Sequence, residues 1–175
     1  MSNGSVALRA ATAADIPNLA GVQLRSALAG FVHIFPKSIP KPTQGALEKE
    51  WAGLMGDATR TLLLAEVDGV AAGAVVFGAD ADPRFPSDAV LLKLYVRPEY
   101  ANRGLGTALY DRAISDFTAA GHRKARLWVL ERNLIARRMY ERRGWVLEPW
   151  SRTDFPGSGI LELGYTLELG YSSAM

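Results

Sequence analysis

Along the chain, apolar residues recur with two periods, and each change of period marks an element. Val6–Ala10 predicts a short first strand. Thr12 then makes a good helix N-cap, with Asp15 in the first turn and Pro17 where a missing N–H costs least. Ile16, Leu19, Ala20, Leu24 and Ala27 follow at helical spacing and predict a helix to about Leu28. Pro36, Pro40 and Pro42 make 31–42 a loop. Thr43 caps a second helix bearing Ala46, Leu47, Trp51 and Leu54, and Gly56 ends it. The runs 61–67 and 71–77 are apolar and strand-like, with the hairpin signal Asp68-Gly69 between them. A turn-rich loop at 80–86 follows. Residues 89–96 (AVLLKLYV) are almost continuously apolar, as expected of a central strand buried on both faces, and Pro98 stops it. Leu105, Leu109, Ala113 and Phe117 repeat every four residues, predicting a long amphipathic helix over 104–120 that Gly121 ends. A strand at 126–130, a short helix at 134–143 capped by Asn133 and closed by Gly144, and strands at 145–148 and 160–167 complete the chain.

The order is therefore β-α-α-β-β-β-α-β-α-β-β. Strand, helix and strand over 89–130 predict a parallel crossover, whereas the hairpin at 61–77 is antiparallel. The expected fold class is α/β (α+β): one domain over residues 1–175 with a mixed central sheet flanked by helices. No internal repeat, low-complexity tract or linker interrupts it.

Composition removes several chemistries. Cysteine is absent, which excludes disulfides, thiolate metal sites and cysteine nucleophiles. His33 and His122 are the only two histidines, too few for a multi-histidine centre, so no metal is expected. No apolar run approaches the roughly 18 residues of a membrane span, and MSNGSVALRA has no signal-peptide core. A cytoplasmic protein without a membrane partner is the expectation. The net charge of +2 is small, but its distribution is uneven. Residues 97–143 hold eleven Lys and Arg against five acids, a net +6, while the remainder holds nine against thirteen, a net −4. A basic third on an acidic body suits an anion bound at one place; solvated helix faces would give the same count. The arginines are spread over two helices and a strand with no base-stacking motif, so no nucleic-acid partner is expected.

The anion has a candidate seat. Asn102-Arg103-Gly104-Leu105-Gly106-Thr107 joins the central strand to the long helix. Its glycines allow close backbone approach, and a helix N-terminus points free N–H groups at phosphate oxygens. Arg103 adds a charge-assisted contact. A dinucleotide fingerprint fails, because Leu109 stands where a third small residue is needed, and a Walker loop fails for want of Gly-Lys-Ser/Thr.

The stretch from Leu94 to Gly106 (LYVRPEYANRGLG) resembles the acetyl-CoA signature of the GNAT acetyltransferase superfamily. The stretch from Asn133 to Trp145 (NLIARRMYERRGW) resembles its second signature, at the family's usual separation. With the element order, the resemblance spans about residues 6–168. It implies an acetyl-CoA-dependent N-acetyltransferase with acetyl-CoA as cosubstrate and an amine acceptor, small molecule or peptide. It further implies that the strand at Leu94–Val96 splays from its neighbour, so that the main chain of Leu94 and Val96 holds the pantetheine arm and the Leu94 amide polarises the thioester carbonyl. Asn102, Arg103, Gly104, Leu105, Gly106 and Thr107 take the phosphates. Tyr140 takes the place of the general acid, Asn133 bonds the pantetheine or serves as a plain N-cap, and Arg137 and Arg138 meet a phosphate or lie on a solvated helix face.

One position departs from the family pattern. Ala101 stands where the family loop often carries Gln or Arg, which removes one side-chain contact and leaves an acyl-CoA-binding or regulatory module as the alternative function. The family's strand glutamate is also missing, since Val90 occupies its place. Asp88, Glu66 and Glu131 remain as candidate bases, and none is assigned. The acceptor side falls to Arg25, Phe31, His33, Phe35 and Trp51, with Trp150, Asp154 and Phe155 on the last inter-strand loop. The acidic remainder of the chain admits a cationic acceptor. With no cysteine there is no cysteinyl-enzyme route, so direct transfer in a ternary complex is expected. A homodimer with the last strands as edges is the base-rate expectation.

Overall fold

The strands at 60–67 and 70–79 bury apolar side chains on both faces, and the cover this needs on each side sets the architecture. The computed structural model describes residues 4–170, so the extreme ends of the expected 1–175 unit lie outside the described residues. In chain order the elements are β1 (Val6–Ala10), α1 (Ile16–Gly30), α2 (Gln44–Gly56), β2 (Arg60–Val67), β3 (Val70–Ala79), β4 (Ala89–Val96), α3 (Leu105–Ala119), β5 (Lys124–Leu130), α4 (Leu134–Arg142), β6 (Val146–Arg152) and β7 (Glu162–Glu168). They build a seven-stranded sheet in the order β1-β2-β3-β4-β5-β7-β6. β4 and β5 run parallel, and every other neighbouring pair is antiparallel. No helix among the described residues is long and apolar enough to cross a membrane.

Alternation divides the core in two. Leu62, Leu64, Ala74 and Val76 face α1 and α2, where they meet Leu19, Val22, Leu47 and Trp51. Leu63, Ala65, Val75 and Phe77 face the other side, against Leu105, Leu109 and Phe117 of α3. Burying each Leu, Val or Phe side chain among them contributes about 1.5–3 kcal/mol. Asp68 and Gly69 both have positive φ (49° and 77°), as the tight hairpin between β2 and β3 requires. On the open edge, Arg9 of β1 forks onto Asp15 at 2.8 Å through both terminal nitrogens and reaches Glu66 of β2 at 2.8 Å. It thereby ties β1, β2 and the turn before α1 together.

The predicted elements are all present; most bounds shift by a residue or two, and four departures, three of extent and one of burial, have a physical reason. The helix expected from Thr12 begins instead as a 3-10 turn, Ala13–Asp15, before α1 starts at Ile16 and runs to Gly30. Pro17 has no N–H to offer the carbonyl of Ala13, so the first turn closes on the shorter Asp15-to-Thr12 bond. β5 starts at Lys124 rather than 126, because the Asp88 carboxylate accepts the N–H groups of Arg123 and Lys124 and the strand is tied at its root. β6 runs on through Pro149 to Arg152, since an edge strand with a register shift between Leu147 and Ser151 tolerates a missing donor. The fourth is β4. Only Ala89, Val90 and Leu91 are fully buried, Leu92 is exposed, and the remaining four residues are half-buried. The continuous apolar run is not a strand covered on both faces along its whole length.

Candidate active site

Between β4 and β5 the sheet opens. Their pairing covers Ala89 with Ala125, Val90 with Arg126 and Leu91 with Leu127, and then stops. β5 meanwhile continues beside β7 as far as Leu130 and Glu162. The departure coincides with a bulge: opposite β3, Phe77 faces Leu91 and Val76 faces Lys93, leaving Leu92 unmatched. Bulges bend the strand that carries them.

Hydrogen-bond parity then fixes where the freed main chain points. The Arg97 N–H donates to the Ala72 carbonyl at 2.8 Å. Antiparallel pairs alternate between bonded and non-bonded, so the pairs Gly73–Val96 and Val75–Leu94 are non-bonded. The N–H and C=O groups of Leu94 and Val96 therefore point away from β3, into the gap that β5 has left. That gap opens into a cavity of about 970 Å³, with Leu94 and Tyr95 on one wall, Leu127 and Val129 on the other, and Asn133 and Tyr140 between them.

Beyond Val96 lies the glycine loop. Asn102 (φ 60°) and Gly104 (φ 79°) both adopt the left-handed region and turn the chain sharply into α3. Leu105, 2% exposed, anchors the turn in the core. The first intrahelical bond runs from Ala108 to Gly104, so the N–H groups of Leu105, Gly106 and Thr107 have no helical acceptor. A Cβ on Gly106 would meet Val96 at 3.6 Å, an ordinary contact that places the loop at the outer end of the gap. Arg103 stacks over Tyr100 at 5.4 Å. Sequence reasoning missed one residue here. Arg143, at the end of α4, donates to Thr107 Oγ1 at 3.1 Å and stacks over Tyr110 at 4.9 Å. Only the excess charge of residues 97–143 hinted at it.

α4 brings Tyr140 to the cavity. Its ring packs between Tyr110 (6.4 Å) and Trp145 (5.8 Å) and is 8% exposed. Among the described residues nothing hydrogen-bonds its hydroxyl, and burial holds the phenol well above its ordinary pKa. Asn133 caps α4, accepting the Ala136 N–H at 3.2 Å, while also lining the cavity. The Arg137 guanidinium is engaged inside the fold, donating to the Tyr165 hydroxyl at 2.9 Å and to the Glu131 carbonyl at 3.0 Å.

The residues proposed from sequence for the acceptor side separate into two groups. Phe31, Phe35, Asp154 and Phe155 line the cavity. Trp51 does not line it; fully buried, it donates to Gln23 at 2.8 Å. Arg25 pairs with Glu99, and His33 is exposed outside the lining. Trp150 turns to a second, smaller cavity of about 460 Å³ and packs on Phe85 at 5.0 Å. The candidate bases lie elsewhere. Glu66 is held by Arg9 and Asp88 by backbone N–H groups, each with a depressed pKa, and Glu131 lies outside the lining. The carboxylates that do face the cavity are Glu50, Asp154 and Glu162. Tyr95 faces it too; burial raises its phenol pKa, and Glu50 and Glu162 add to the rise. No spacing in the sequence links Glu50, Tyr95 and Glu162, because three separate elements bring them together.

Residues 27–145 match the model of the acetyltransferase (GNAT) family. None of the curated proteins compared matches the sequence. Among solved structures, the PaiA N-acetyltransferase of Thermoplasma acidophilum in complex with coenzyme A superposes with a TM-score of 0.72 at 22% identity, over 94% of this chain and 99% of that one. The ribosomal-protein-S18-alanine N-acetyltransferase of Escherichia coli gives 0.73 at 20% identity, over 97% of each chain. An acetyltransferase from Thermus thermophilus gives 0.70 at 20%, over 97% of this chain and 100% of that one. At these identities the likeness is one of fold.

Proposed function

The chain belongs to the acetyltransferase (GNAT) family, and from that premise we propose that it moves an acetyl group from acetyl-CoA to a primary amine of a small molecule or peptide, by direct transfer in a ternary complex. One observation carries the reading. β4 leaves β5 after Leu91, and the main chain of Leu94, turned away from β3, faces a cavity that Tyr140 also lines.

Acetyl-CoA supplies an activated thioester on a strongly anionic carrier, and the residues present suit both ends. The free N–H groups of Leu105, Gly106 and Thr107, turned outward by Asn102 and Gly104, form an anion seat, with Arg103 beside it. Arg143 supports the same reading. A cation at the positive end of a helix is unfavourable on its own, and a bound anion reverses that sign. Arg137 we leave out, because its guanidinium is spent on Tyr165 and Glu131. Asn133 keeps its side-chain N–H groups for the pantetheine arm while its oxygen caps α4.

The Leu94 N–H is the donor for the acyl oxygen, a role worth about 3–4 kcal/mol where such donors have been removed. Tyr140 holds the proton for the departing thiol. Burial keeps its phenol protonated at neutral pH, and the same apolar surroundings raise the basicity of a thiolate formed beside it. The acceptor must arrive at the thioester as a neutral amine. Glu50 and Glu162, which line the cavity with Tyr95, are the carboxylates to take its proton, each held in place by its own cation, Lys93 or Arg152.

Calorimetric titration with acetyl-CoA, followed by thiol release over an amine panel, tests the proposal. Binding, thiol release and the mass increment of one acetyl group on the amine are expected. Binding without turnover across the panel would favour an acyl-CoA-binding module. Binding to short DNA but not to acetyl-CoA would overturn the reading.

A further inference from the structure

Two pairs of opposite charges in the cavity lining are matched. Lys93 pairs with Glu50 at 2.7 Å and lies 5.8 Å above the rings of both Trp51 and Tyr95. Arg152 pairs with Glu162 at 2.6 Å. At the solvent end the balance changes. Lys37 and Lys41 line the cavity, are exposed, and make no ion pair among the described residues. Asp154 is the single lining acid in the same condition. Pro36, Pro40 and Pro42 flank both lysines and restrict the loop that carries them. Between floor and mouth the wall is apolar: Phe35 meets Phe155 edge-on at 5.5 Å, and Val32 is 60% exposed.

We infer that the acceptor carries an anion at its far end. Its primary amine reaches the floor beside Leu94 and Tyr140, an apolar segment lies against Phe35 and Phe155, and a carboxylate sits between Lys37 and Lys41. This rests on the acetyl-transfer reading and names the acceptor class within it. A second ammonium at the mouth would face two unmatched cations and one acid, whereas a carboxylate there faces the reverse. The acidic body of the chain is thus no guide to the acceptor, because Glu50 and Glu162, two of the three acids in the lining, are paired with the protein's own Lys93 and Arg152.

The test uses the protein saturated with CoA and titrated calorimetrically with three probe series of six to ten carbons: ω-amino carboxylates, alkylamines and α,ω-diamines. The carboxylates are expected to bind about three- to tenfold tighter than the alkylamines, with the diamines weakest, and the spread to shrink as salt rises. In the Lys37→Glu/Lys41→Glu protein the order of carboxylate and diamine inverts. Thermal melting checks that this double variant, changed only at exposed loop positions, still folds. Equal affinities, a wild-type preference for diamines, an order unmoved by the charge reversal, or no binding by any series to CoA-loaded protein each overturns the inference. Failure to take up CoA at all overturns the acetyl-transfer reading and the inference with it.

Discussion

Tyr110 and Tyr140 stand with ring centroids 6.4 Å apart, and their hydroxyls differ in a way that separates stability from turnover. The Tyr110 hydroxyl accepts the Trp145 indole N–H at 2.9 Å in a buried setting. Tyr110→Phe strands that N–H, which costs about 1–3 kcal/mol. For a chain of this size the loss lowers Tm by about 2–4 °C per kcal/mol. Tyr140→Phe keeps the ring contacts with Tyr110 and Trp145 and removes a hydroxyl that no described group bonds. Its stability change is therefore expected within about 0.5 kcal/mol. Turnover should behave the opposite way. Loss of a positioned proton donor lowers kcat by about 10²–10⁴-fold, whereas Tyr110→Phe leaves kcat per folded molecule near wild type. Urea denaturation gives the first quantity and thiol release at saturating acetyl-CoA gives the second. With its pKa held above the ordinary phenol value near 10, Tyr140 should add no descending limb to kcat below about pH 10. Wild-type kcat in Tyr140→Phe would remove Tyr140 from the chemistry. A stability loss as large as that of Tyr110→Phe would mean that its hydroxyl is bonded within the fold.

Three further expectations follow from single contacts. Gly104→Ala should cost about 1–2 kcal/mol, because φ 79° is the left-handed region while nothing lies within 4 Å of the added Cβ, and Gly104→Asn should cost less; denaturation curves of the two variants compare them. Arg143→Ala should raise KM for acetyl-CoA several-fold with kcat unchanged, and the effect should shrink at high salt; a fall in kcat alone would place Arg143 in the wrong role. Asp15 has a folded pKa held far below the carboxylate range, chiefly by the Arg9 guanidinium and the Thr12 N–H, so its stabilisation is full above about pH 4 and is lost as pH falls further. Asp15→Asn should therefore be less stable than wild type at pH 7 and flatter in Tm between pH 5 and about 2, and a parallel pH dependence would contradict this.

Much of the fold was legible because its signals are local. Thr43 and Asn133 cap the helices predicted for them, and Asp68-Gly69 makes the hairpin. The turn into α3 and the capped start of α4, to which the proposed cofactor contacts fall, were legible for the same reason, since each is one contiguous stretch. The acceptor side was not. Trp51 and Phe35 look alike in sequence, yet α2 buries Trp51 against α1 while the proline-rich loop leaves Phe35 on the cavity wall. Glu50, Tyr95 and Glu162 converge from α2, β4 and β7, and no spacing along the chain records that meeting.

The strand AVLLKLYV presents a conflict that its period hides. Strict alternation from Ala89 would put Leu91, Lys93 and Tyr95 on the face packed by α3, where burying an unpaired ammonium is costly. The unmatched Leu92 resolves it. After the bulge, Leu94 pairs with Val75 on the α3 side, and Lys93 and Tyr95 turn to the α1 and α2 side. There Lys93 finds Glu50, Gln23 and the ring of Trp51. An inward charge of this kind also protects a strand edge left without a partner, which is otherwise a template for association. The apolar residues beyond the bulge remain half-exposed because they line a gap rather than fill a core. Removing the bulge by deleting Leu92 should therefore do more than shorten a strand. It would leave Lys93 opposite Val76 and Leu94 opposite Val75, each on its present face, and would take out the extra residue that bends β4 away from β5, so that the gap narrows and acetyl-CoA binding, read by calorimetry, weakens. A Leu92 deletion that keeps wild-type acetyl-CoA affinity and thiol release would show that the gap does not depend on the bulge.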